Sequence, residues 1–270
     1  MYRKINHRDF CRLVANIKNI SPTEVRFSKE EIALTESERQ TLEKMLKRYE
    51  HNEPISKILN AREFWKNEFF INEHVLDPRP DTELIIEETL SRFPRDLPLN
   101  ILDIGTGSGC ILLSLLQEYP HATGIGIDVS AEAIEVANFN KNRLGVTSAN
   151  FKNISWNDFQ SAQKFSLIVS NPPYIKTSDI VALDANVREY DPIIALDGGE
   201  NGLQAYEEIC ALAKNWLAPG GAIIFEIGFD QAGDVSKILQ KNSFSIAAVK
   251  QDIQNLDRVV VGIKTDIKLK

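Results

Sequence analysis

NILDIGTGSGCILLSLLQ, residues 100–117, runs from an apolar stretch through an acid and three spaced glycines into a second apolar stretch. Ile101-Leu102-Asp103 reads as a short buried strand, and Ile111 to Gln117 as the helix that follows it. Glycines at 105, 107 and 109 allow a tight turn between the two and leave main chain open to a ligand. In an open α/β sheet that crevice, at the carboxyl ends of the strands, is where ligands bind. The plainer role for these glycines is packing a helix against its strand.

Outward from this turn, strands and helices alternate. Strands are expected near Gly124–Val129, Asn150–Ile154, Phe165–Ser170, Ala222–Ile227, Phe244–Val249 and Val259–Ile263. A helix capped by Ser130, and helices near Leu203–Leu217 and Gln231–Leu239, separate several of them. Such alternation implies a doubly wound, mostly parallel sheet of seven strands with helices on both faces. The last two strands follow one another without a helix, so an antiparallel hairpin is expected at one edge. The end KTDIKLK, residues 264–270, reads as a frayed tail.

Upstream the character differs. The first sixty residues carry no glycine and look helical. Ser21-Pro22-Thr23-Glu24 and Thr35-Glu36-Ser37-Glu38 both have the capping-box pattern, and Leu42, Met45 and Leu46 share one face of the second helix. Residues 62–76 interleave aromatic and β-branched residues around Lys66-Asn67-Glu68, as a short hairpin would. Arg79-Pro80-Asp81-Thr82-Glu83 opens an amphipathic helix through Leu84, Ile85, Ile86 and Leu90. The division expected is a helical unit over 1–60, a hairpin linker over 61–77 and an α/β domain over 78–270.

Composition sets the bounds. The chain has 270 residues, 43% hydrophobic and 26% charged, enough for a sizeable core. Its net charge of −7, from 38 acidic and 31 basic residues, argues against nucleic acid as a direct partner. Cys11, Cys110 and Cys210 are odd in number and lack metal-ligand spacing, which suits reduced buried thiols and a cytoplasmic location. The four histidines are scattered. No apolar run reaches membrane-spanning length, and MYRKINHRDF lacks the apolar core of a signal peptide.

The glycine turn does not by itself choose a cofactor. A dinucleotide fingerprint is G-x-G-x-x-G; here the spacing is G-x-G-x-G, and Cys110 stands where the third glycine would be. Asp103 puts a negative charge at the mouth, which repels a pyrophosphate and attracts a sulfonium or ammonium. Asp128 ends the next strand at the separation expected of a ribose-binding carboxylate, or else it is a simple helix-start residue. Trp156 walls the adenine or merely packs. Together with Gly105, Thr106, Gly107, Ser108 and Gly109, these residues point to S-adenosylmethionine, with a nicotinamide dinucleotide as the alternative.

SNPPYIK, residues 170–176, completes the constellation. Its strand lies beside the first one, so Asn171 faces the same crevice. An amide or aromatic-amine nitrogen is a poor nucleophile with two N–H groups. The Asn171 side-chain oxygen and the Pro172 carbonyl can accept both, favouring a pyramidal nitrogen and the positive charge that develops on it. Pro172 and Pro173 stiffen the backbone that holds these acceptors. Tyr174 can stack on the flat group. A Pro-Pro turn that only ends a strand is the plainer reading; following the glycine turn and Asp128 in order, a methyltransferase is favoured.

These motifs resemble a known family. Glu53-Pro54-Ile55-Ser56-Lys57-Ile58, Arg62-Glu63-Phe64-Trp65, Pro78-Arg79-Pro80-Asp81-Thr82-Glu83, DIGTGSG, SNPPYI, Tyr190-Asp191-Pro192 and Leu196-Asp197-Gly198-Gly199 look like the protein-(glutamine-N5) methyltransferases of peptide-chain release factors, the HemK/PrmC family. The resemblance covers nearly the whole chain. It implies a Rossmann-like class I methyltransferase domain of seven strands, behind a small helical domain and a β-hairpin linker. It implies S-adenosylmethionine, converted to S-adenosylhomocysteine, contacted by Gly105 to Gly109, Asp128, Trp156 and Asn171. It implies a substrate glutamine in a Gly-Gly-Gln loop, held by Asn171 to Tyr174. Two positions depart from the pattern: Asn60 where a glycine is expected, and Asp77 where an apolar residue is expected. Arg79 and Glu83 either border the substrate pocket or serve as a surface charge and a first-turn helix acid.

The rival readings are an adenine-N6 methyltransferase, in which the same tetrapeptide receives a flipped base, an inactive scaffold, and a dinucleotide oxidoreductase. The first would need a basic groove and a recognition domain; intact Asp103, Asp128 and Asn171 oppose the second.

Overall fold

The structure is a computed structural model that describes residues 5–28 and 32–265. Residues 266–270, most of the tail expected to fray, lie outside the described residues, as do the first four of the N-terminal stretch. Four helices come first: α1 (His7–Lys18), α2 (Pro22–Phe27), α3 (Glu36–Glu50) and α4 (Ile55–Leu59). Both capping boxes form, with the Ser21 hydroxyl accepting from Glu24 N–H and Thr35 from Glu38 N–H. Leu13, Val14, Leu42, Leu46 and Ile58 bury one another in a core of their own, with Met45 packed at its edge.

Asn60 ends α4 in the left-handed region at φ 51°. Asparagine tolerates that conformation better than other residues with a Cβ, which explains how it stands where glycine was expected. Its side-chain amide also donates to Ile71 O at 2.9 Å. The hairpin follows as β1 (Ala61–Phe64) and β2 (Asn67–Phe70), antiparallel. Asp77, the other departure, is buried and accepts the Ser56 hydroxyl at 2.6 Å, and Arg62 pairs with it at 3.4 Å. A carboxylate here therefore ties α4 to the hairpin.

A 3₁₀ turn over Pro80–Thr82 leads into α5 (Glu83–Arg92). The remaining α-helices and strands are β3 (Asn100–Ile104), α6 (Cys110–Glu118), β4 (Thr123–Asp128), α7 (Ala131–Leu144), β5 (Ala149–Asn153), β6 (Phe165–Ser170), α8 (Ala185–Arg188), α9 (Gln204–Trp216), β7 (Leu217–Glu226), α10 (Ala232–Lys241), β8 (Phe244–Gln251) and β9 (Asp257–Lys264). All seven expected strands of the α/β part are present. β7 starts earlier than expected, at Leu217, which pairs with Phe165 before a register shift, and regular pairing resumes at Ala222.

The sheet order is β5-β4-β3-β6-β7-β9-β8. The first five strands in that order are parallel; β9 pairs antiparallel with both β7 and β8, giving the expected edge hairpin. Successive residues alternate between two cores. Ile101, Leu167, Val169 and Ile224 face α5 to α7, whereas Leu102, Ile168, Ile223 and Phe225 face α9 and α10. The sheet is doubly wound, and its chain order reverses between β3 and β6, so the ends of those two strands flank one crevice.

Three ties hold the front of the chain to this crevice. Phe64 and Phe69 of the hairpin enter the core beneath α6. Asn140, fully buried in α7, exchanges two hydrogen bonds with the Phe70 backbone and also donates to Ser108 O at 2.9 Å. Lys57, 3% exposed, pairs with Asp191 at 3.2 Å; Arg79 reaches the other Asp191 oxygen at 2.8 Å.

Candidate active site

The glycine turn follows β3 as expected. Gly105, Gly107 and Gly109 all have positive φ (70°, 53° and 79°). A Cβ added at Gly105 or Gly107 would meet nothing within 4 Å, and both residues line the main cavity. Their main chain is therefore bare on the cavity wall. At Gly109 the constraint is packing, since a Cβ would stand 2.9 Å from the Phe151 ring. The Gly105 and Thr106 amides both donate to Ile127 O at 2.9 and 3.0 Å, pinning the turn to the end of β4.

Asp128 lies at the end of β4 and lines the same cavity. Its carboxylate accepts the Gly107 amide at 2.9 Å and the Ser130 amide at 3.0 Å. Burial raises its pKa and those backbone donors oppose the rise. Ser130 caps α7 through Ala133 N–H, so Asp128 and the helix start are distinct parts of one corner.

Asp103 is placed differently from the expectation of a charge at the mouth. It is fully buried beneath the turn and absent from the cavity lining. Its Oδ2 accepts the Thr106 hydroxyl at 2.6 Å, which draws the side chain inward. Burial pushes its pKa up to about 7, with the nearby Asp128 charge acting in the same direction. Its Oδ1 has no hydrogen-bond partner among the described residues. Asp103 thus braces the loop from below and leaves an unpaired acceptor under the cavity floor.

Trp156 lines the cavity, and its indole N–H donates to Glu208 at 2.8 Å. Glu208 of α9 also accepts from Asn157 and Gln204, so the ring is held on edge by a residue no sequence pattern flagged. Ile127, Val129, Ala133 and Ile154 make the remaining wall mostly apolar. Bare glycine backbone, one carboxylate on the cavity wall, an aromatic wall and an apolar lining suit a nucleoside carrying a short charged chain, so the residues present fit S-adenosylmethionine.

Asn171 follows β6 and lines two spaces at once: the main cavity and a side pocket shared with Arg79, Tyr174 and Glu226. Pro173 lines the main cavity and Pro172 is buried. The Tyr174 hydroxyl donates to Glu226 at 3.3 Å, and burial raises its pKa. The segment Leu196–Gly202 backs this tetrapeptide. Ile175 N–H donates to Leu196 O at 3.0 Å and Gly198 N–H to Ile175 O at 2.8 Å. Gln231 Nε2 donates to Tyr174 O and Gly202 O, both at 3.0 Å.

Of the two residues left open, Arg79 lines the side pocket. Glu83 instead accepts the Trp65 amide at 2.7 Å, fixing the hairpin turn, where Trp65 has φ 54°. Sequence reasoning did not assign roles to Thr82, Glu226, Glu208 or Asn140. Cys110 lines the main cavity as a free thiol that burial pushes up to about 12.

Residues 97–264 match the family model of a methyltransferase domain. The chain is 41% identical over 229 residues to the release factor glutamine methyltransferase of Caulobacter vibrioides, covering 84% of this chain and 79% of that one. It is 40% identical over 253 residues to the enzyme of the same name from Agrobacterium fabrum, covering 92% and 87%. A solved methyltransferase from Pyrococcus furiosus shares the fold, with a TM-score of 0.52 at 18% identity over 85% of this chain and 99% of that one. A sheet that reverses at β3 and β6, a cavity at that reversal and these relatives agree: the chain belongs to the release factor glutamine methyltransferase family.

Proposed function

We propose that this chain transfers a methyl group from S-adenosylmethionine to the side-chain amide nitrogen (N5) of the glutamine in the Gly-Gly-Gln motif of peptide-chain release factors. The observation that carries the reading is that Asn171 lines both the cofactor cavity and the side pocket, where a donor and an acceptor would meet. The bound cofactor supplies an electrophilic methyl on a sulfonium.

The chain's own residues do the rest. Gly105, Gly107 and Asp128 seat the nucleoside, and Trp156 closes one side of it. In the side pocket the Asn171 oxygen and the Pro172 carbonyl each accept an N–H of the glutamine amide, and Tyr174 covers its flat face. Held so, the nitrogen lone pair turns out of the amide plane toward the methyl carbon. The new N–C bond forms as the C–S bond breaks and its electron pair stays on sulfur. The nitrogen, now acidic, then loses one proton.

The three-part division at residues 60 and 77 belongs to the same reading. The front helices have their own core and meet the α/β part where Tyr190 O–H donates to His51 O at 2.9 Å. They are a second contact surface for a release factor, which a single glutamine in a flexible loop needs to be selected. Release factors act in the cytoplasm, which is the location that follows. Among the described residues no helix is long and apolar enough to cross a membrane. The test is intact-mass measurement of a purified release factor after incubation with this chain and S-adenosylmethionine. Addition of one methyl group is expected; an unchanged mass would overturn the reading.

A further inference from the structure

Thr82 and Glu226 come from distant parts of the chain, 144 residues apart, and meet behind Asn171. Both are 2% exposed. The Thr82 hydroxyl lies 2.5 Å from Glu226 Oε2, and the Asn171 side-chain nitrogen lies 3.3 Å from the same hydroxyl oxygen. Glu226 Oε1 accepts the Tyr174 hydroxyl at 3.3 Å. One buried carboxylate thus reaches both ends of Asn-Pro-Pro-Tyr, directly at Tyr174 and through Thr82 at Asn171.

We infer that Thr82 and Glu226 are positioning residues that set which face of the Asn171 amide meets the substrate. This rests on the proposed glutamine-methylating role. Hydrogen-bond direction decides the orientation. An ionised carboxylate accepts and cannot donate, so the single proton of the Thr82 hydroxyl goes to Glu226. The Thr82 oxygen then has lone pairs to offer and no proton for Asn171. It can be met by the Asn171 NH2 and not by its carbonyl oxygen. The amide is thereby fixed with its NH2 against Thr82 and its oxygen free to accept a substrate N–H. Flipped by half a turn, the same side chain would present a donor to a donor. Burial holds the Glu226 pKa near 7, so the orientation is firm above that value, where the carboxylate is charged.

The test is steady-state methylation of a release factor by the full chain, run above the Glu226 pKa, with Thr82→Val, Thr82→Ser and Glu226→Gln beside the wild type. Valine keeps the shape of threonine and removes the hydroxyl. Thr82→Val is expected to lower kcat roughly 10- to 100-fold, with KM for the release factor and cofactor affinity little changed. Glu226→Gln, whose amide can donate to Thr82 and release its proton toward Asn171, is expected to lower kcat as well. Thr82→Ser is expected to recover most of the loss. Wild-type kcat in Thr82→Val overturns the inference, as does a Thr82→Ser variant as impaired as the valine one. A Thr82→Val chain that loses cofactor affinity in step with kcat overturns it too, since the residue would then act through the cavity as a whole. A wild-type chain that leaves the release factor unmethylated overturns the underlying function and this inference with it.

Discussion

The Asp128 carboxylate accepts the Gly107 amide at 2.9 Å, so the acid that ends β4 and the glycine turn that follows β3 form one hydrogen-bonded unit. Its other oxygen takes the Ser130 amide. An ionised carboxylate has about four lone-pair sites, which leaves two for the hydroxyls of a ribose. The same residue shapes the loop and, in the proposed site, would also hold the ligand.

Asp128→Ala is expected to weaken S-adenosylmethionine binding strongly while lowering the saturated rate less. Hydrogen bonds to a charged acceptor contribute about 1.5–3 kcal/mol each, and both the ribose contacts and the Gly107 anchor are lost. Calorimetric titration reads the affinity. An unchanged value would remove Asp128 from the binding site.

Asn171→Ala is expected to reverse that pattern. The glycine turn and Asp128 keep the cofactor, whereas the acceptor for the substrate amide is gone. Losing one such transition-state hydrogen bond lowers kcat by about a hundredfold or more. Single-turnover rates with saturating cofactor measure it, and near-normal turnover would contradict the assignment.

Gly198→Ala tests the backing of the tetrapeptide. A Cβ at this position would stand 2.8 Å from Tyr174 Cα and 2.9 Å from Pro173 O, both backbone groups that cannot swing aside. The 173–174 backbone must shift, and misplacement on the order of 1 Å can lower a rate by about a hundredfold. Cofactor affinity, which depends on the other side of the cavity, is expected to hold. A variant with wild-type turnover would show that the tetrapeptide tolerates displacement.

Asp103 makes a prediction about pH. Burial raises its pKa from 3.8 to about 7, so between those values the folded chain binds a proton that the unfolded chain has released. Its contribution to stability is full below the lower value and is lost as pH rises through the upper one. At ~1.4 kcal/mol per pKa unit the difference amounts to a few kcal/mol. Asp103→Asn removes it. Urea denaturation without cofactor is expected to show the variant gaining on the wild type as pH rises from acid to neutral. A gap that stays constant across that window would contradict the burial argument.

What was legible in the sequence follows a physical pattern. Phe165–Ser170 and Ile101–Asp103 announced themselves as strands because buried parallel strands are continuous apolar runs. The capping boxes were readable because their partners sit three residues apart. Gly105 and Gly107 were readable because bare backbone needs glycine. Thr82, Glu208 and Glu226 were not, because their links to Asn171, Trp156 and Tyr174, and of Thr82 to Glu226, span 52 to 144 residues and only the folded sheet brings them together. Asp103 was recognised as part of the motif, yet its direction was not. The Thr106 hydroxyl that draws it inward is local in sequence, but its burial is a property of the whole turn.

The central claim is that the acceptor is the glutamine side-chain nitrogen at Asn171, and peptide-level mass spectrometry tests it most directly. A release factor treated with this chain and S-adenosylmethionine is digested, and the Gly-Gly-Gln peptide is fragmented to locate the methyl group. A single methyl on the glutamine side chain is expected, absent when Asn171→Ala replaces the wild type. A methyl group found on another residue, or one transferred equally well by the Asn171→Ala chain, would contradict it.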